Sequence, residues 1–313
     1  MFQIKKEHLE SLHSLDQEIQ VDLTGVSEDD FKDKLQKAEI VVAQNLDGLT
    51  KEDAGNLKWL HFTSAGINRM PGWILNSDIL VTNSSGVHPI PIAEQILGYM
   101  LMFARNLHKF MRAQATTEEW MKDKSGEVFE LDGKTVVIVG MGRIGEKLAE
   151  YCKVLGMRVI GVVRDVNKHQ ESRIDKLVEV GELDKVLAES DFIVNCLPLT
   201  PETKQLFNRE VFGQFKQGSY FINIGRGQTV KEEDLVGALE EGILTGAALD
   251  VFETEPLPSN SPLWDMENVI ITPHMAGHTP FYMDRVIEIF IDNMKAYLNE
   301  EKMPNLVNKQ LGY

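Results

Sequence analysis

The chain has 313 residues, 43% of them hydrophobic and 26% charged, with a formal net charge of −16. That length fits two domains, and the composition is that of an ordinary soluble globular protein. So acidic a chain repels polyanions, and no Lys/Arg cluster is large enough to compensate, which sets nucleic acid aside as a partner.

The opening residues, Met1 to His8, lack an apolar signal core. No stretch reaches the roughly 18 apolar residues that suggest a membrane span, so the expectation is a cytoplasmic protein without a membrane partner. The first hundred residues alternate apolar runs with polar helical stretches: Ile19–Leu23, Ile40–Ala43, Leu57–Phe62 and Ile79–Thr82. Near-continuous runs of this kind suit parallel strands covered on both faces. Pro89 and Pro91 then open a long apolar helix through Ala104, since proline is tolerated in a first helical turn. The Met and Phe stripe from Met100 to Met111 reads as core or dimer interface.

A second region starts at Leu131. The β-branched run Thr135–Val139 leads into Gly140-Met141-Gly142-Arg143-Ile144-Gly145, followed by a helix from Arg143 to Leu155 and a strand from Arg158 to Val162. Further strands are expected at Asp191–Asn195, Ser219–Ile224, Thr245–Leu249 and Val269–Thr272, with helices such as Glu232–Glu241 between them. An amphipathic helix, Met283–Leu298, closes the chain and is placed to return to the first domain. The expected division is residues 1–100 with 281–313, and residues 101–280. Cys152 and Cys196 fall in a helix and at a strand end, as small apolar packers rather than a disulfide. No metal-ligand spacing appears.

The glycine run sits between a strand and a helix, the context that a dinucleotide fingerprint requires. Gly140 permits the tight turn, Gly142 lets a pyrophosphate approach the backbone, and Gly145 lets the helix pack on the strand. The helix start, Arg143 and Ile144, presents amides to the phosphates. In an NAD site the second strand ends in an acidic residue that takes the ribose 2′-hydroxyl. Here that place holds Val163, Arg164 follows, and Asp165 is displaced by two positions. An arginine suits a 2′-phosphate. NADP(H) is therefore the preferred cofactor, with NAD(H) the alternative if Asp165 reaches the ribose.

Three more groups follow at predicted strand ends: Arg226 in Asn223–Gly227, Glu255 in Asp250–Pro256, and His274 in Thr272-Pro273-His274. A guanidinium can grip the carboxylate of a 2-keto acid and stabilise charge developing on its keto oxygen. An imidazole can supply the proton, and a neighbouring carboxylate orients that imidazole. Each alone has a plain reading as a turn or loop residue; their joint placement at strand ends, where open α/β sheets bind ligands, points to chemistry.

In order and spacing, Gly140–Gly145, Ser190–Thr203, Asn223–Gly227, Asp250–Leu257 and Thr272–Gly277 resemble the successive signatures of the D-isomer-specific 2-hydroxyacid dehydrogenases, over roughly residues 60 to 280. The resemblance implies an α/β protein of two doubly wound, Rossmann-like parallel-sheet domains. It implies a discontinuous substrate-binding domain, an active site in the cleft between the domains, and a homodimer. It implies roles for Arg226 in substrate binding, for Glu255 as the partner of the histidine, and for His274 as acid/base. Asp250 then meets the nicotinamide amide; Cys196, Pro198 and Thr203 belong to the cofactor site; and Ala65 and Gly66, in Ser64–Ile67, form a carboxylate cradle. The reaction implied is exchange of a hydride between NAD(P)H and a small 2-keto acid, of which a glyoxylate/hydroxypyruvate-type reductase is a narrower form. The alternative is a dinucleotide-sensing interaction module similar to the transcriptional co-repressors. Glu94, His88, His278 and Trp264 read as structural or pocket-shaping.

Overall fold

Short apolar runs without polar alternation pair side by side near the start of the chain. Ile40–Ala43 (β1), Trp59–Phe62 (β2) and Leu80–Asn83 (β3) form a parallel sheet in that order. All four residues of β2 are buried, as the central strand of a parallel sheet must be. The structure is a computed structural model and describes residues 4–23, 28–67, 70–116, 120, 128–168 and 174–310.

The run Ile19–Leu23 does not form the expected strand. The Ile19 amide closes a turn onto the Asp16 carbonyl, Val21 packs beside the cluster of Leu12, Trp59 and Phe290, and Leu23 is 51% exposed. Apolar character found a surface to cover there without a backbone ladder to join.

The second sheet has seven parallel strands: Thr135–Val139 (β4), Arg158–Val163 (β5), Lys176–Glu179 (β6), Phe192–Asn195 (β7), Ser219–Asn223 (β8), Leu244–Leu249 (β9) and Val269–Ile271 (β10). Their order is β10-β9-β8-β7-β4-β5-β6. The chain winds outward from β4 through β5 and β6, then returns to β7 on the other side of β4, so the direction of winding reverses between β4 and β7. That reversal is the doubly wound arrangement, and it opens a crevice at the strand ends. β6 was not foreseen; its Lys-Leu-Val-Glu sequence has the mixed polarity of an edge.

By contacts the chain divides into residues 1–87 with 279–313, and residues 88–278. The boundary lies at 87 rather than 100 because the helix Pro89–Ala104 buries Ile92, Ile96, Met100 and Phe103 in one cluster with Val136, Ile138 and Leu148. The helix Tyr282–Leu298 returns to the first unit: Phe290 stacks on Trp59 at 5.0 Å, and the Val307 amide donates to the Val81 carbonyl at 2.8 Å. No helix among the described residues is long and apolar enough to cross a membrane, and none of their His, Cys, Asp or Glu clusters could hold a metal.

Within the first unit, Trp59 Nε1 donates to Thr82 Oγ1 at 2.8 Å, and His61 lies between Thr82 Oγ1 at 2.7 Å and Ser84 Oγ at 3.0 Å. Burial pushes the His61 imidazole from its ordinary 6.5 down to about 3. Between those values the unfolded chain binds the proton and the folded chain does not, so stability falls as pH is lowered through this window. By this linkage His61 should cost about 2 kcal/mol at pH 5 relative to pH 7.5. Urea unfolding at the two pH values should show a His61→Gln variant losing that much less than the wild type; an equal loss in both proteins would exclude His61 as the source.

Candidate active site

The fully buried, β-branched strand β4 ends at a glycine that only a left-handed backbone can continue. Gly140 has φ +104°, and a Cβ there would lie 3.1 Å from the carbonyl carbon of Cys196. A Cβ on Gly145 would lie 2.4 Å from the Gly140 oxygen, so the helix Arg143–Val154 can approach the strand only without a side chain. Around Gly142 nothing lies within 4 Å of such a Cβ, and this residue is the exposed N-cap of the helix. Two glycines are filled by neighbouring backbone while the third leaves open space before helix-start amides, which fits a pyrophosphate. Arg143 is exposed and Ile144 half-buried beside it. The Cys196 amide donates to the Val139 carbonyl at 2.9 Å, which keeps this loop against the reversal point between β4 and β7.

The loops after β7 and β8 are joined by a buried amide network. Asn195 Nδ2 donates to Asn223 Oδ1 at 2.9 Å and to Thr229 Oγ1 at 2.7 Å, and Asn223 Oδ1 also accepts from the Gly225 amide at 3.2 Å. Thr229 Oγ1 donates in turn to the Arg226 carbonyl at 2.6 Å. Arg226 thus projects, exposed, from a fixed turn, and its Nη1 donates to the Gly225 carbonyl at 2.8 Å. On either side the chain passes tightly: a Cβ on Gly225 would meet the Leu197 oxygen at 2.6 Å, and one on Gly227 the Phe252 oxygen at 1.8 Å.

Glu255 and His274 meet. His274 Nδ1 lies 2.7 Å from Glu255 Oε2, while Glu255 Oε1 accepts from the Phe252 amide at 3.0 Å. The carboxylate is therefore aimed by its own loop, in which the Glu255–Pro256 peptide is cis. A carboxylate on Nδ1 selects the tautomer that leaves Nε2 facing away from it. His274 is half exposed and has φ +51°, a left-handed conformation that costs a non-glycine residue energy and persists only when its surroundings impose it. They do so through Asp250, 2% exposed at the end of β9: its Oδ1 accepts from Thr272 Oγ1 at 2.6 Å and the Met275 amide at 3.0 Å, and its Oδ2 from the Ala276 amide at 2.9 Å.

The remaining sequence-derived residues have the following places. Arg164 is the exposed residue after β5, and its charge reaches Glu202 in the loop after β7. The Thr203 hydroxyl donates to the Pro198 carbonyl at 2.7 Å and accepts from the Thr200 amide at 2.7 Å, so it shapes that loop. Burial pushes the Cys152 and Cys196 thiols up to about 12, which favours their protonated form. In the first unit the carbonyls of Ser64, Ala65 and Gly66 accept from the Ser84 amide, Asn83 Nδ2 and Ser64 Oγ, and Gly66 is exposed. Glu94 and His278 are exposed, His88 packs against Gly277, and Trp264 Nε1 donates to the Pro258 carbonyl at 3.0 Å.

Residues 97–276 match the family model "D-isomer specific 2-hydroxyacid dehydrogenase, NAD binding domain". This chain belongs to the D-isomer-specific 2-hydroxyacid dehydrogenase family. It is 34% identical over 278 residues to a glyoxylate reductase of Thermofilum pendens, covering 87% of this chain and 80% of that one. It is 32% identical over 290 residues to the D-3-phosphoglycerate dehydrogenase of Methanocaldococcus jannaschii, covering 91% of this chain but only 54% of that longer relative. Among solved structures it resembles the NADPH-dependent glyoxylate/hydroxypyruvate reductase of Sinorhizobium meliloti, solved with NADP and sulfate, at 27% identity and a TM-score of 0.72 over 88% of this chain and 86% of that one.

Sequence reasoning within this family missed the residues behind the exposed three: Asn195, Asn223, Thr229 and Thr272, and also Gln95 and Tyr99 on the Pro89–Ala104 helix. The last two had a signal, since a glutamine and a tyrosine four residues apart share one face of a largely apolar helix.

The Gly227 contact is a direct test of how tightly the loops are joined. Gly227→Ala should destabilise the protein by about 1–3 kcal/mol, the usual range for an overpacked site, read as a lower urea midpoint. An unchanged midpoint would mean that the Arg226 and Glu253 loops can separate freely.

Proposed function

We propose that this chain interconverts small 2-keto acids and D-2-hydroxy acids with NAD(P)H, as an NAD(P)-dependent oxidoreductase acting on a CH-OH group. Glyoxylate and hydroxypyruvate are the first substrates to consider. The observation that carries the reading is the 2.7 Å pair of His274 Nδ1 and Glu255 Oε2, on a loop tied to the end of β9. The proposal extends, from the family resemblance, to a cytoplasmic homodimer whose partners are small molecules rather than nucleic acid or membrane.

The residues proposed to hold the cofactor are Gly140, Gly142, Arg143, Ile144 and Gly145 at the phosphates, Cys196, Pro198 and Thr203 along the loop after β7, and Asp250 at the nicotinamide amide. When bound, the reduced nicotinamide supplies the hydride. Arg226 takes the substrate carboxylate, and its guanidinium stabilises charge as it grows on the keto oxygen; in the first unit, Ala65 and Gly66 are the residues proposed for substrate binding. His274 gives that oxygen its proton from Nε2, while Glu255 keeps the ring oriented and balances its charge. Oxidation of the hydroxy acid uses the same groups in reverse, with His274 as base.

Turnover separates this reading from the interaction-module alternative: oxidation of NADH or NADPH in the presence of glyoxylate, pyruvate or hydroxypyruvate is expected, and cofactor binding without any oxidation across a wide keto-acid panel would favour the module. His274→Ala should lower kcat by about 100-fold or more while leaving cofactor binding near normal, because a positioned proton donor contributes that much. Retention of most of the kcat would remove His274 from the mechanism.

The cofactor preference rests on Arg164. As the exposed cation after a strand that ends in Val163, it suits a 2′-phosphate, and NADP(H) is the proposed partner with NAD(H) the alternative. Arg164→Ala should raise the KM for NADPH by about 10-fold or more, the loss of one charge-assisted contact, with little change for NADH. A wild-type kcat/KM favouring NADH would assign the ribose to Asp165 instead.

A further inference from the structure

The apolar helix Pro89–Ala104 carries two polar side chains on one face, and both point into the network behind the histidine loop. Tyr99 is 3% exposed; its hydroxyl lies in hydrogen-bonding contact with Thr272 Oγ1 and accepts from Gln95 Nε2 at 2.8 Å. Thr272 Oγ1 gives its single proton to Asp250 Oδ1 at 2.6 Å. Towards Tyr99 it can then only accept. Donation therefore runs one way, from Gln95 through Tyr99 and Thr272 to the carboxylate.

Asp250 in turn holds the amides of Met275 and Ala276, the two residues that follow His274. Burial pushes the Tyr99 phenol above its ordinary value of 10, so it is protonated and a donor at working pH. A one-way chain of bonds in a water-poor interior polarises each member, and it leaves Asp250 one favoured orientation.

We propose that Gln95, Tyr99 and Thr272 are positioning residues for His274, a relay that turns the Asp250 carboxylate so that the 272–276 loop keeps the histidine in its left-handed conformation. The proposal rests on the acid/base reading of His274. Its chemistry is not proton transfer to substrate: each relay proton stays on its donor, and the effect reaches the reaction through the geometry of the imidazole.

The test is a kinetic cycle on the full-length protein with NAD(P)H and whichever keto acid it reduces. Tyr99→Phe keeps the ring and removes the hydroxyl; it should lower kcat on the order of 10-fold, the scale of a small misplacement of a catalytic group, with the KM for NAD(P)H within about 2-fold if the loss falls on the transition state rather than on cofactor binding. Thr272→Val should lose as much, and Thr272→Ser should retain activity because it restores the hydroxyl. The deciding measurement is the Tyr99→Phe/His274→Ala double variant. If Tyr99 acts through His274, the double variant is no slower than His274→Ala alone. Wild-type kcat in Tyr99→Phe, or losses that multiply in the double variant, would overturn the relay. Wild-type kcat in His274→Ala would instead remove the acid/base reading on which the relay depends, so the two failures are told apart.

Discussion

A buried carboxylate must collect donors or destabilise the fold, and the site depends on how Asp250 meets that requirement. At 2% exposure it sits at the end of β9 and takes three donors, all from the segment 272–276 that follows β10. The same bonds that satisfy the charge tie the β10 loop to the β9 end. They hold His274 at φ +51°, where an untied histidine would relax. Glu255 comes from the loop that leaves the same strand, so one anchoring point sets both halves of the imidazole–carboxylate pair.

Around that anchor the exposed groups and their supports divide by burial. Arg226, Glu255 and His274 are solvent-accessible, as the proposed roles require. The amides and hydroxyl beneath the Arg226 turn, on Asn195, Asn223 and Thr229, are 0–1% exposed and bonded to one another. A satisfied polar network in a dry interior is rigid because every alternative orientation leaves a donor or acceptor unpaired. Gly225 and Gly227 let the loops close to distances that no side chain would allow. Placement at the surface is therefore set from below, by buried polar side chains.

The sheet explains why these loops lie together at all. In a parallel sheet every strand ends on the same edge, so the segments after β7, β8, β9 and β10 emerge as neighbours although they are separated in the chain. The reversal of winding between β4 and β7 keeps the glycine loop beside the Cys196 turn, so close that a Cβ on Gly140 would crowd it. A glycine fingerprint by itself says little; at this reversal of winding it lies where open parallel sheets bind ligands.

Much of this was legible along the chain. The β-branched run before Gly140, the glycine spacing and the ordered appearance of Arg226, Glu255 and His274 are local patterns, and local patterns report strands, turns and reactive side chains. The expected strand at 19–23 failed because apolar content says that a segment will be covered, not that a neighbouring backbone will be there to pair with it. The edge strand Lys176–Glu179 was missed for the converse reason: its ladder to β5 exists despite a sequence with little apolar signal. What only the tertiary structure decided is the support. Tyr99 and Thr272 are 173 positions apart, and Asn195 and Thr229 are 34 apart. A side chain reads as core or cap from its own neighbours in sequence, whereas a hydrogen bond is made with whatever the fold brings within 3 Å. The chain alone singled out the candidate groups, because side-chain type is the signal. It could not name the groups that aim them, because their role is defined entirely by the partner.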